Sequence, residues 1–441
     1  MNKFFVQVSY IVIFPLYITQ PKMKNLITLL AAVCLTATVN AQKINYQKNF
    51  DTALDKARNE KKLLFVAIMP SDAISRRSFS NSAINNPQVV SLYNKNFVSY
   101  TISISDSASL PLRKRYHTTA YPTYVFIDGR GNMLYKETGS STSPDKYIGM
   151  SQKAIACLAS GKTLSNYDDR YQQGKVDTAF LKDYITLRES LHIYDNARLA
   201  DEYVDLLTIK SFNDYNTVLF VLEAGPYVHG KAYNLCYTNH RLVDSIYKKE
   251  SVALRVAINA RIISNTFNAA IEKRDNNMAQ QAASYIVVTS RKNIRRGVRE
   301  SENRMLTYFK AVKDTASYYR RASNFYDNYY MNISADSAQK VREATMAGLK
   351  QNLIKRNTAI SLKKNLSPAD TQKRVKITET VSTMVNTDIA NVLNNAAYDF
   401  YYLGTANQTY LAKALLWSKR AIQLKPFSGY YDTQAHLLYR L

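Results

Sequence analysis

Ala120-Tyr121-Pro122-Thr123-Tyr124-Val125-Phe126-Ile127-Asp128, followed by Gly129-Arg130-Gly131-Asn132, decides the first half of the fold. Thr123–Ile127 is an apolar run of strand length, and the Asp-Gly-Arg-Gly-Asn stretch is a turn into a partner strand beginning at Met133. Upstream, Leu63–Met69 is a continuous apolar run, the pattern of a strand buried on both faces. Phe97–Ile104 alternates like a strand, and the short basic segment Leu110–Tyr116 reads as a helix. Asn86-Pro87 and Ser143-Pro144 are helix starts with Pro at the first helical position. Phe50, Ala53, Leu54 and Ala57 share the face of an opening helix.

This order resembles the thioredoxin family over residues 42–162. In that family a Tyr-Pro-Thr sequence leads into a central strand, as Tyr121, Pro122 and Thr123 do here. Phe79–Val90 and Asn96-Phe97-Val98 are similar to stretches of envelope members of the family. The resemblance implies a cis peptide bond before Pro122 and a peptide-binding groove beside that loop. It also implies a Cys-x-x-Cys just after the first core strand. The corresponding stretch here, Met69-Pro70-Ser71-Asp72-Ala73-Ile74-Ser75-Arg76-Arg77, has no cysteine, and none occurs between Cys34 and Cys157. A hydroxyl has neither the acidity nor the redox couple of a thiol. Ser71, Asp72 and Ala73 therefore mark a degenerate active-site position, and no catalytic residue is assigned. Arg113, Lys114 and Arg115 are expected beside the groove, where they would favour acidic peptides.

From Leu164 onward Gly and Pro become rare and apolar residues recur at spacings of three and four, as in Phe180, Leu181, Tyr184 and Ile185. Residues 163–385 read as an all-α region, with breaks at Gly174, Gly225-Pro226, near Gly230, at Asp275-Asn276-Asn277 and at Asn332–Asp336. The mildest linker-like stretch is Lys363–Asp370. In residues 386–441, Ala397 and Tyr398–Tyr402 on one helix and Ala414, Trp417, Ala421 and Pro426 on the next resemble a tetratricopeptide repeat. Ala435 stands 38 residues after Ala397, a similar place on a third helix. The fold class expected is thus an α/β thioredoxin-like domain followed by an all-α helical, tetratricopeptide-like or α-solenoid region.

Residues 1–41 read as an address. Lys24, the apolar run Leu26–Thr38 and the small-residue site ending at Ala41 form a secretory signal peptide, with Met23 as the true start and Gln42 as the mature N-terminus. Val33 fits poorly before a lipidated Cys34. The expected location is the periplasm or the exterior of the cell. Export leaves Cys157 and Cys236, which are able to form one disulfide or to remain two buried thiols.

The chain of 441 residues is 46% hydrophobic and 21% charged, which excludes a disordered or multi-span membrane protein, and its net charge is +25. Basicity is spread over both parts, with a net +9 in residues 42–162. Lys292, Arg295, Arg296 and Arg299 are expected to form one helical stripe. Export argues against nucleic acid as the partner and in favour of a polyanion such as an acidic glycan. No metal-binding, nucleotide-binding or serine-hydrolase motif is present, so no cofactor and no metal is expected. His229 and His240 flank Cys236 as a conceivable nucleophile pair, and Asp168-Asp169 and Asp201-Glu202 are paired acids expected to be solvated. The function expected is a non-catalytic binding or scaffold protein of the bacterial envelope with a peptide or protein partner. The alternatives are a thiol–disulfide oxidoreductase acting through Cys157 or Cys236, and a helical scaffold for polyanions.

Overall fold

All seven side chains of Leu63–Met69 are buried because each face of this strand is covered by its own layer. A computed structural model describes residues 43–71, 79, 82–344, 347–348, 351 and 388–441. The segment read as a leader, residues 1–41, and Asp72, Ala73 and the Lys363–Asp370 stretch lie outside the described residues. The N-terminal part is a five-stranded mixed sheet with helices. Its strands are β1 (Tyr46–Gln47), β2 (Leu63–Met69), β3 (Phe97–Ser103), β4 (Thr123–Ile127) and β5 (Met133–Thr138), in spatial order β1-β3-β2-β4-β5. β3 runs parallel to both β1 and β2, whereas β4 is antiparallel to β2 and β5.

The period of two along β2 sorts its side chains between two cores. Leu63, Phe65, Ala67 and Met69 meet α2 (Pro87–Asn96) and α4 (Pro144–Ser160) through Val89, Val90, Tyr93, Tyr147 and Met150. Leu64, Val66 and Ile68 face α1 (Phe50–Asn59) and α3 (Ser109–Arg115) through Ala53, Ala57 and Leu112. The helix starts follow their capping chemistry. Asn49 accepts the backbone N–H groups of Asp51 and Thr52, and Asn86 accepts that of Gln88 with Pro87 in the first turn. Gly161, at φ 68°, closes α4 in the left-handed conformation.

The second core of the sheet also includes Leu191 and Ile193, each 1% exposed, from beyond residue 162. They follow α5 (Leu164–Gln172) and α6 (Thr178–Ser190) and lie in the same cluster as Tyr116, Ile127 and Met133. The apolar core thus crosses from the sheet into the helical part. At this seam Lys136 of β5 is 1% exposed, and its ammonium group donates to the carbonyls of Tyr116 (3.1 Å) and His117 (2.7 Å). Burial pushes its pKa down to about 8.

The remainder is all-helical. Phe180 and Leu181 of α6, Leu199 of α7 (Ala197–Asp205), Val221 of α8 (Tyr215–Glu223), Cys236 of α9 (Lys231–Cys236) and Val243 of α10 (His240–Lys249) form one core with Ile258 and Ile262 of α11 (Val252–Lys273). α12 (Asn276–Thr289), α13 (Ile294–Ala311) and α14 (Thr315–Tyr326) form a second core with Ile389–Tyr402, Gln408–Leu424 and Ser428–Arg440. Two of the turns in this stack use the same chemistry 39 residues apart. Arg274 (φ 53°) and Lys313 (φ 60°) are left-handed, and the next residues, Asp275 and Asp314, cap α12 and α14 by accepting the N–H groups of Met278 (3.0 Å) and Ser317 (3.1 Å).

Some expectations change here. A two-residue strand, Tyr46–Gln47, precedes the opening helix, and Asp327–Met331 form a π-turn after α14. Ala397, Ala414, Trp417 and Ala421 are core residues, but Ala435 is exposed, and Thr433 and Leu437 are the buried positions of the last helix. Ala435 is therefore not the counterpart of Ala397. Lys292 does not join the basic stripe, because residues Arg291–Asn293 form a 3₁₀ turn and α13 begins only at Ile294.

Candidate peptide groove at the Tyr121–Pro122 loop

β4 starts at Thr123, which is held between Ile68 of β2 and Thr138 of β5. The peptide bond immediately before it, Tyr121–Pro122, is cis. Pro122 is buried and its carbonyl accepts the N–H of Gly139 at 2.8 Å, while the Thr123 hydroxyl donates back to the Ala120 carbonyl. The loop is also fastened from α3. The Thr118 N–H donates to the Arg113 carbonyl at 2.9 Å. The Tyr121 hydroxyl donates to the Thr118 carbonyl at 3.1 Å and accepts from the Arg113 Nε at 2.7 Å. The Arg113 guanidinium lies 5.4 Å from the Tyr121 ring centroid, a cation–π distance.

The antiparallel register that pairs Ile68 with Thr123 carries the chain past Met69 to Ser71 on the side of the Tyr121–Pro122 loop. Ser71 is exposed at the end of that strand, and its two expected companions, Asp72 and Ala73, lie outside the described residues. The three cations on α3 do not act together. Consecutive helical residues are about 100° apart, so only Arg113 reaches Tyr121. Arg115 turns to the opposite end, over the Tyr116 ring and against Gly131.

Cys157 and Cys236 are both free. The half-buried Cys157 thiol donates to the Lys162 carbonyl at 3.3 Å, and burial raises its pKa. Cys236 is fully buried in an apolar cluster, which pushes its thiol up to about 12. His229 and His240 lie edge-on to Tyr233 and Tyr237 rather than forming a dyad with this thiol. Of the paired acids expected to be solvated, Asp169 is exposed, but Asp168, Asp201 and Glu202 are only partly exposed and tie helices together. Asp168 accepts from the Tyr184 hydroxyl, Glu202 from the Tyr171 hydroxyl at 2.6 Å, and Asp201 from the Ala232 N–H at 2.8 Å.

Among the described residues, no group of three or more His, Cys, Asp or Glu is placed to hold a metal ion. No described helix is long and apolar enough to cross a membrane. Sequence reasoning missed Lys136, because a lysine in an alternating strand reads as a solvent-facing residue. Comparison with protein-family models and with curated proteins returns no match.

Proposed function

We propose that the chain is an exported, non-catalytic binding protein of the bacterial envelope, in which a thioredoxin-like domain holds an extended segment of a peptide or protein partner. The strand order, the cis bond before Pro122 and the helix placement support the thioredoxin-like reading. The buried small residues Ala397, Ala414 and Ala421 around Trp417 support a tetratricopeptide-like end. The observation that carries the function is the Tyr121–Pro122 loop, fastened by Arg113 beside a strand end that bears Ser71 where the resembled family has a dithiol. Strand-like recognition works through main-chain hydrogen bonds and needs no thiol. Arg113 gives that edge a positive charge.

The test is retention of the mature chain, from Gln42, on immobilised extended peptides of acidic, neutral and basic composition. Acidic peptides are expected to retain the wild type, and Tyr121→Ala to lose that retention. Equal retention of both proteins, or no preference for acidic peptides, overturns the reading.

The oxidoreductase alternative is weakened by two free thiols that burial holds in the protonated form. The polyanion alternative retains one observation, the exposed Arg295, Arg296 and Arg299 on α13. Its signature is heparin retention that falls steeply with salt and with charge removal at these three positions.

A further inference from the structure

The two turns with matching chemistry, α11–α12 and α13–α14, come together at one end of the helical stack. Between them is a cavity of about 330 Å³, at the lower end of the range for small-molecule sites. Arg274 and Asn276 line it from the first turn, and Ser317, Arg320 and Arg321 from α14. Ser317, Arg320 and Arg321 share one helical face because they are spaced by three and four residues. The floor is Phe309 with Val312, and the Arg321 guanidinium lies 5.2 Å from the Phe309 ring centroid.

The charge of this cavity is unbalanced. Three guanidinium groups meet one carboxylate, Asp314, and that carboxylate is already engaged in capping α14 through the Ser317 N–H. The other acid of these turns, Asp275, likewise caps α12. On the neighbouring α13, Lys310 and Arg304 do have acids beside them, Asp399 (2.8 Å) and Glu300 (3.2 Å) respectively. Three arginines around one concavity repel one another, and the repulsion is relieved by a multiply charged anion seated between them. Guanidinium groups match carboxylate and phosphate oxygens in a bidentate manner, and the ring under Arg321 presents its fork in a fixed orientation.

We propose that this cavity binds a small anion carrying two or more carboxylate or phosphate groups. The site is separate from the Tyr121 loop and does not depend on the peptide-binding reading.

The experiment is isothermal titration of the full mature chain with pyrophosphate and, separately, with citrate, the two arms distinguishing phosphate from carboxylate ligands. At least one of the two is expected to bind. Arg320→Gln, Arg321→Gln and Arg274→Gln change exposed side chains, so the melting temperature of each free variant should match the wild type. Each should weaken binding by about tenfold or more, the loss of one charged hydrogen-bonding group. Arg296→Gln, which removes a charge of the same kind from α13 outside the cavity, should leave affinity unchanged, and so should Tyr121→Ala. Failure of both anions to bind overturns the proposal. So does undiminished affinity in the three cavity variants, or an equal loss in Arg296→Gln, which would show attraction to net charge alone.

Discussion

The indole N–H of Trp417 donates to the carboxylate of Asp327 at 2.8 Å, and Lys413, one turn earlier on the same helix, pairs with that carboxylate. Asp327 opens the π-turn after α14, so this carboxylate ties the turn to the helix Gln408–Leu424. Trp417 is fully buried, 4.9 Å from the Phe400 ring centroid and 5.3 Å from that of Tyr326. Trp417→Phe keeps most of the apolar volume but removes a hydrogen bond to a charged acceptor, and should cost about 1.5–3 kcal/mol. Asp327→Ala should cost at least as much. Because Trp417 is the chain's single tryptophan, its emission reports on this junction alone. Urea unfolding followed by that emission measures the Asp327→Ala variant directly, and far-ultraviolet dichroism measures both. An unchanged midpoint in both variants would remove the pair from the account of stability.

A second prediction concerns Gly225, which has φ 73°. A Cβ there would fall 2.7 Å from the Arg261 Cβ and 2.8 Å from the Asn265 Nδ2. Asn265 itself donates to the carbonyls of Gly225 (2.7 Å) and Tyr194 (2.9 Å). Gly225→Ala adds steric displacement of the α11 backbone to the cost of a left-handed alanine, for a total loss of about 1–3 kcal/mol. Gly174→Ala is the comparison. Its φ is 71° but no atom lies within 4 Å of the added Cβ, so it should lose only the backbone share. Equal losses at the two positions would refute the steric argument.

The third prediction is a pH dependence. Glu189 is half-buried beside Arg261, whose Nη1 donates to it at 3.2 Å. Arg261 also donates to the Glu223 carbonyl at 2.6 Å. Burial, only partly offset by Arg261, pushes the Glu189 carboxyl up to about 7. Between its ordinary value near 4.5 and 7 the folded state holds the proton more tightly than the unfolded chain does. Its contribution to stability is therefore present below about pH 4.5 and is lost as pH rises towards 7, by at most about 3 kcal/mol. Glu189→Gln should flatten this part of the stability profile, as measured by urea midpoints from pH 4.5 to 8. A variant that keeps the wild-type slope would assign the titration elsewhere.

The strands at Leu63–Met69 and Thr123–Ile127 were legible to the residue, because an unbroken apolar run of that length between polar turns has few other outcomes. The helix starts at Pro87 and Pro144 were legible for an equally local reason, their Asn and Ser caps. β1 was not, since two residues carry no periodicity. Residues that act across the fold escaped as well. Lys136 looks solvent-facing until Leu191 and Ile193 are brought over its strand. Arg274 and Arg320 stand 46 positions apart and share a cavity only because two turns fold to the same end. The Tyr121 loop was named from its motif, but its fastening by Arg113 depends on where α3 ends.

The fourth prediction concerns the thiols. The chain from Gln42 onward should fail to reduce insulin disulfides, since the stretch after β2 has no cysteine. In the folded chain at pH 8, Cys236 should resist a thiol reagent and Cys157 should react slowly, because burial raises both. Denaturant should expose both at once. Rapid reaction in the folded state, or reductase activity lost in Cys157→Ser, would return the redox reading to the front.

The sheet and the helices that follow it are joined by more than a linker. Leu191 and Ile193 cap the same apolar layer as Leu112, Tyr116, Ile127 and Met133, and Lys136 rivets the 116–117 backbone to β5 beneath them. A fragment cut at residue 162 leaves that layer bare to water and prone to self-association, whereas one cut after Asp195 carries its own lid. The junction also fixes the angle at which the helical stack leaves the sheet. A partner gripping the stack and one gripping the Tyr121 loop would therefore pull on a single stiff bracket, not on two beads swinging on a string.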